Sequence, residues 1–311
     1  MLRRMFKITL GLILGLAGVF WWLMLSGSTA PANAPDLFPI GEFRAEVLSA
    51  DPATLPTEVR ILELGKDKAP AFAAQAGRFG APFDLSYTSF EIVSPEGSVI
   101  VGGAVDAATA DQMTQSAGDA QFYPERYAQL IAAMETARHV VMTHEHIDHV
   151  MAIARHPAPA KLAPNLRLNA PQKAALPRFT LNGDLPAELA DLEPTLSGRL
   201  QMIAPGVVIV PNAGHTEGSQ SVFVKLQDGR EYLLIGDIVW TMSNIRDLKT
   251  RPLLTQYVVF DPNENRAAVK RQVGALNTLA VDEPALIIVP SHDRTHLQNL
   301  IAADDLVEGF Q

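Results

Sequence analysis

Val141-Met142-Thr143-His144-Glu145-His146-Ile147-Asp148-His149 places three imidazoles and an aspartate within six residues, directly behind the apolar run His139-Val140-Val141-Met142. Charged and imidazole side chains are rarely buried without partners, and an apolar run of this kind reads as a buried strand, so the cluster sits at a strand mouth. On a helix His144 and His146 would point about 200° apart, so a shared metal ion requires a loop here. The zinc-protease helix with His-Glu-x-x-His is excluded because position 148 is Asp. Three further segments have the same form, an apolar run ending in a candidate ligand. They are Val207–Val210 followed by Gly214-His215-Thr216-Glu217-Gly218-Ser219, Leu233-Leu234-Ile235-Gly236-Asp237, and Ile287-Ile288-Val289-Pro290-Ser291-His292-Asp293.

Thr143-His144-x-His146-x-Asp148-His149 resembles the signature of the metallo-β-lactamase superfamily, and the later His, Asp and His follow in that family's order. The resemblance covers roughly residues 57 to 300. It implies an α/β fold, a four-layer αβ/βα sandwich of two mixed sheets with helices outside. It also implies a partition of ligands: His144, His146 and His215 to a first metal, Asp148, His149 and His292 to a second, and Asp237 bridging both. The alternation of strand-like and helical stretches by itself supports only α/β. Imidazole and carboxylate ligands suit Zn, and a bridging carboxylate also admits Fe or Mn. Two adjacent cations lower the pKa of a trapped water and polarise the group under attack, so a metal-bridging hydroxide is expected to attack an ester or lactone carbonyl. Asp148 is expected to orient that hydroxide and pass its proton to the leaving group.

Asp237 argues against the antibiotic-hydrolysing branches, which carry Cys or Ser there. Gly214 to Ser221 resembles the corresponding segment of the N-acyl homoserine lactone lactonases. Those enzymes have a Tyr three residues after the bridging Asp, and Trp240 stands here; its indole N–H donates but is no acid or base near neutral pH. Trp240 is therefore taken as a candidate catalytic donor to the substrate. Relatives also place Asp-Thr-Gly after the second hairpin strand, where this chain has Gly102-Gly103-Ala104, leaving Asp106 as a substitute support. Thioester hydrolysis of the glyoxalase II type is an alternative, although Val150-Met151 replace the small residues of that branch. A mononuclear iron oxidoreductase acting on a sulfur substrate is another, and a non-enzymatic tethered scaffold a third. The diiron type expects Glu at position 146, which is His. Glu145 reads as a hydrogen-bonding loop residue, and His139, His156 and His296 as structural or exposed.

The 311 residues suit one large domain or two small ones, and 48% hydrophobic content is ample for a core. There are no cysteines, which excludes disulfides, thiolate ligands and a lipoprotein anchor. Ile8 to Leu25 is an 18-residue run without a charge behind Arg3, Arg4 and Lys7. At about 27 Å it is just long enough to span a bilayer, with Trp21-Trp22 at its outer end. A cleaved signal is the competing reading, with Ala32-Asn33-Ala34 as its small-x-small site. Both readings place the body outside the cytoplasm, anchored toward the periplasm or exterior, or secreted after cleavage. Without the N-terminal basic residues the chain carries 22 basic against 34 acidic residues, a net of −12, so nucleic acid is not an expected partner. The expected partners are a small-molecule substrate and, through residues 8–25, the membrane. The domains read as residues 1–25, the anchor or signal segment; 26–56, a tether rich in Ala, Pro and Ser; and 57–311, the metallo-β-lactamase-like domain. Within the last, 157–200 reads as a lid over the substrate or as a plain surface excursion.

Overall fold

The computed structural model describes every residue except 1, 118–119, 181–183 and 259–263. Its core follows from period-2 alternation in strands apolar on both faces. In the sheet carrying the first motif, Val99, Val101 and Val141 face one way and Ile100, Val140 and Met142 the other. In the second sheet, Val207, Ile209, Tyr232 and Leu234 face inward, while Val208, Val210, Leu233 and Ile235 face out. The two inward sets meet in one buried layer with Val59, Ile61, Phe90 and Ile92. Each outward set is covered by helices, which gives four layers.

The first sheet has six strands: β1 (Glu58–Ala69), β2 (Phe83–Val93), β3 (Val99–Val101), β4 (Gln121–Phe122), β5 (His139–Val141) and β11 (Val307–Glu308). Its order is β11-β1-β2-β3-β5, with β4 on β1; β3 and β5 are parallel. The second sheet comprises β6 (Gln201–Ala204), β7 (Val207–Pro211), β8 (Gln220–Lys225), β9 (Glu231–Gly236) and β10 (Leu286–Pro290), in the order β10-β9-β8-β7-β6. Hairpins form around Pro95-Glu96-Gly97 and Asp228-Gly229, as their turn residues predict. The helix Pro124–Thr136 begins on its proline, and Arg266–Asp282 is capped by Asn265, whose side chain accepts from the Ala268 N–H.

Two stretches differ from their sequence expectation. Residues 26–56 contain the helix Ile40–Val47, and Phe38, Phe43 and Val47 are buried against Val208 and Phe223, so much of this stretch is docked rather than a loose tether. Residues 157–200, apart from 181–183, which lie outside the described residues, are anchored to the body by apolar side chains. Leu162, Leu166, Leu168, Leu176, Phe179 and Leu189 bury into the outer layer of the first sheet. The Arg167 N–H donates to the Val140 carbonyl, which ties the excursion to the β5 edge.

At the N-terminus, the helix Leu2–Met24 is long and apolar enough to cross a membrane, and its residues 3–22 are exposed. Directly after it the chain docks. The Thr250 N–H donates to the Ser28 carbonyl, the Ala30 N–H donates to the Leu248 carbonyl, and Ala30 is buried. The Pro31 carbonyl then lies where a Cβ on Gly274 would be, 2.3 Å away, so the helix Arg266–Asp282 accepts this segment only with glycine at that position.

Candidate metal centre

Strand ends bring the seven predicted ligands together. β5 stops at Val141, and its extended continuation presents His144 and His146; the helix Ile147–Ala154 then carries Asp148 and His149 in its first turn. His215 lies in the loop between β7 and β8, Asp237 follows β9, and His292 follows β10. The ligand atoms fall into two groups, each within 4.8 Å throughout: His144, His146 and His215, and Asp148, His149, Asp237 and His292. Asp237 touches both groups. Its Oδ1 lies 3.4 Å from His149 Nε2 and 3.1 Å from His292 Nε2, while its Oδ2 lies 3.1 Å from His292 Nε2, 3.8 Å from His215 Nε2 and 3.9 Å from His144 Nε2.

The outer ring nitrogens are committed. His144 Nδ1 meets Thr143 Oγ1 at 3.1 Å, His215 Nδ1 meets Glu264 Oε2 at 2.9 Å, and His292 Nδ1 meets the Ser86 carbonyl at 2.7 Å. That leaves each Nε2 aimed inward, the arrangement metal-binding imidazoles require. His144 Nε2 is buried and makes no hydrogen bond among the described residues. A cation fits that atom, and the all-N/O donor set suits Zn, Fe or Mn.

Electrostatics point the same way. Burial, reinforced by neighbouring imidazoles, holds His144 well below the usual histidine range and lowers His146 to about 3, so both are neutral donors. Burial pushes Asp148 and Asp237 up, but the imidazoles around them outweigh it; Asp148 falls to about 2, and Asp237 lies well below the usual carboxylate range. Burial likewise lowers His292, yet the two carboxylates raise it well above its ordinary value. The carboxylates of the second group thus favour a positive charge at the place where a metal ion would sit.

Supporting residues divide into those the sequence signalled and those it did not. Glu145 acts as the loop residue expected: its Oε1 accepts from the Gly218 N–H at 2.9 Å and its Oε2 from Thr216 Oγ1 at 2.7 Å. Trp240 corrects its expectation as a donor to substrate. Its indole N–H donates to Asp237 Oδ2 at 2.9 Å, and the residue is buried, so it positions the carboxylate. Trp240→Phe should keep the ring packing and weaken metal affinity roughly 10- to 100-fold, the usual effect of losing such a support, as read by competition with a chromogenic chelator.

Asp106 does not substitute for the missing aspartate either. It caps the helix Ala107–Ala117 by accepting from the Thr109 N–H and pairs with Arg155 at 3.1 Å. Gly103 fills the position differently: its N–H donates to the His149 carbonyl, its carbonyl accepts from the Ala152 N–H, and a Cβ there would sit 2.6 Å from the His149 oxygen. Gly103→Ala should displace the turn bearing Asp148 and His149 and cost about 1–3 kcal/mol, measurable by denaturant unfolding.

Glu264 and Arg251 have no sequence signal of this kind. Arg251 donates to Glu264 at 2.7 Å and to the Asp237 carbonyl at 3.0 Å, and both side chains are 3% exposed. His139, His156 and His296 lie outside both groups; His296 Nε2 meets the Ile288 carbonyl and His156 Nδ1 accepts from the Ala158 N–H.

Solved structures of the same architecture were found at low identity. An N-acyl homoserine lactone hydrolase, solved with N-hexanoyl-L-homoserine at its catalytic metal centre, superposes over 79% of this chain and 96% of its own, with TM-score 0.58 and 16% identity. The chain has the metallo-β-lactamase fold. A quorum-quenching N-acyl homoserine lactone lactonase matches over 79% of this chain and 95% of its own (TM-score 0.55, 15% identity). A probable metal-dependent hydrolase from Staphylococcus aureus matches over 77% and 90% (TM-score 0.56, 13% identity). No protein-family model and no curated relative matches the sequence.

Proposed function

We propose that this metallo-β-lactamase-fold chain is a dinuclear metal-dependent hydrolase, most suited to zinc, that cleaves an ester or lactone of a small molecule. The observation that carries it is Asp237, whose carboxylate lies 3.1–3.4 Å from His149 and His292 and whose Oδ2 is also 3.8–3.9 Å from His144 and His215. Structural neighbours that are lactone hydrolases support the substrate class by analogy. Metal ions held by the two groups would supply Lewis acidity and make water a competent nucleophile at neutral pH.

The protein's own part is positioning and proton transfer. Asp148 has 18% of its side chain exposed, against 3% or less for His149, Asp237 and His292, so within the second group it is the one that reaches substrate. Its Oδ2 lies 3.2 Å from His292 Nε2, which places the carboxylate beside the second group. As water oxygen adds to the acyl carbon, the Asp148 carboxylate takes the water proton; as the acyl C–O bond breaks, it returns that proton to the departing oxygen. Trp240 and Arg251 hold Asp237 still throughout. The N-terminal helix would keep the body at a membrane, outside the cytoplasm.

Elemental analysis of the full chain is expected to find two Zn, Fe or Mn per molecule, with the content lowered in His144→Ala. The loaded protein should hydrolyse members of a panel of lactones, aryl esters and thioesters. Inertness across that panel would refute hydrolysis, and one Fe per chain with oxygen uptake would establish sulfur oxidation instead.

A further inference from the structure

The N-terminal helix does not leave the body as a free stalk. Phe20, inside the apolar run, stacks on Phe79 of the body at 6.0 Å between ring centroids, and Phe79 in turn meets Phe72 at 6.3 Å. The helix also contacts Leu253–Val258. Around this junction the body exposes Phe79 (57%), Tyr257 (58%) and Val258 (72%), next to Leu25 at the helix end. Large apolar side chains grouped in this way on an otherwise acidic body mark a contact surface.

Length decides what covers it. A hydrocarbon core of about 30 Å needs about 20 apolar residues, and Ile8–Leu25 offers 18. None of the run can be spared, so Phe20 must lie within the hydrocarbon, roughly one helical turn below the end of the helix. A body residue stacked on Phe20 is then drawn to the same depth. We propose that the face bearing Phe79, Tyr257 and Val258 lies directly on the lipid bilayer, as a second membrane contact beside the spanning helix.

Cations stand where this arrangement places the lipid headgroups. Arg78 precedes Phe79, Lys249 Nζ donates to Thr29 Oγ1 at 2.7 Å, and Arg266 Nη2 donates to Ser28 Oγ at 3.2 Å. On a body of net charge −12, these three side chains around the helix exit offset repulsion from an anionic surface. Docking of Ser28 and Ala30 beside Leu248 and Thr250 stiffens the link, so the body is held in one orientation to the membrane rather than swinging. None of this depends on the chemistry of the metal centre.

The chain has no cysteine, so single nitroxide labels can be placed directly. Phe79→Cys, Val258→Cys, Leu16→Cys and Val281→Cys would be labelled in the full-length protein in phosphatidylcholine–phosphatidylglycerol nanodiscs. Val281 is the control: it is 73% exposed, but 15 residues, about 22 Å, along its helix from Arg266. Collision with oxygen should exceed collision with a water-soluble nickel chelate severalfold at 16, 79 and 258, with the ratio reversed at 281. Labels at 79 and 258 that behave like the label at 281 would overturn the proposal.

Discussion

Asp237→Ala is expected to abolish metal binding at both groups and to lower kcat/KM on any accepted substrate by roughly 10³-fold or more, about 4 kcal/mol of transition-state stabilisation. The size of the effect follows from position. Asp237 lies within 4 Å of an Nε2 atom on His144, His149, His215 and His292, so its removal leaves four imidazoles without their shared carboxylate. A ligand belonging to one group would cost one metal; this one costs both. Metal content measured alongside activity separates the possibilities: content falling toward zero fits a bridge, whereas a loss of half would place Asp237 in the second group alone. Asp237→Asn keeps the shape without the charge, and it should show the same loss of affinity.

Glu264→Gln is expected to be the most damaging change among residues outside the ligand set. The carboxylate is buried with Arg251 and bonded to His215 Nδ1, and Arg251 and His215, against the upward push of burial, hold it far below the usual carboxylate range. Breaking such a pair leaves a buried guanidinium uncompensated, at a cost of about 3–5 kcal/mol. His215 also exchanges a carboxylate acceptor for a neutral amide one that Arg251 competes for, which should weaken metal binding roughly 10- to 100-fold. Thermal unfolding of the metal-free protein reads the first effect and chelator competition the second. Because the folded pKa is depressed, the carboxylate's stabilisation is complete above its unfolded pKa and is lost only as pH falls toward the folded one. The destabilisation should therefore be full at neutral pH and shrink in acid, as wild type itself loses the ion pair.

The α/β class was legible in the alternation of strand-like and helical stretches, and the candidate ligands stood out because each follows an apolar strand-like run; the four-layer arrangement and the partition of the ligands came only with the family resemblance. β5, β9 and β10 all end within a few residues of a His or Asp. The supports were hidden because they act across the fold. Glu264 and Arg251 are 13 residues apart in a stretch without periodicity, and nothing local distinguishes them from a solvated pair. Phe38, Phe43 and Val47 were obscured by the Ala- and Pro-rich residues around them, although the i, i+4 spacing of Phe43 and Val47 is that of one helix face. The end of β1, Gly65 to Ala69, lacks the apolar alternation of a strand, yet it pairs with Phe83 to Tyr87 past a bulge after Glu63. Trp240 stands out in the sequence by its position after Asp237, but the folding that turns its N–H onto Asp237 Oδ2 has no local signal.

Glu145 ties the loop of His144 and His146 to the loop of His215 using two oxygens and no metal. The first three imidazoles are consequently brought together by the polypeptide before any ion arrives, and little ordering entropy is left to lose on binding. Loading should then be a fast insertion into a standing cradle rather than a folding event of the kind that governs zinc fingers. A cradle held by the chain in this way would outlast a passing shortage of metal without unfolding.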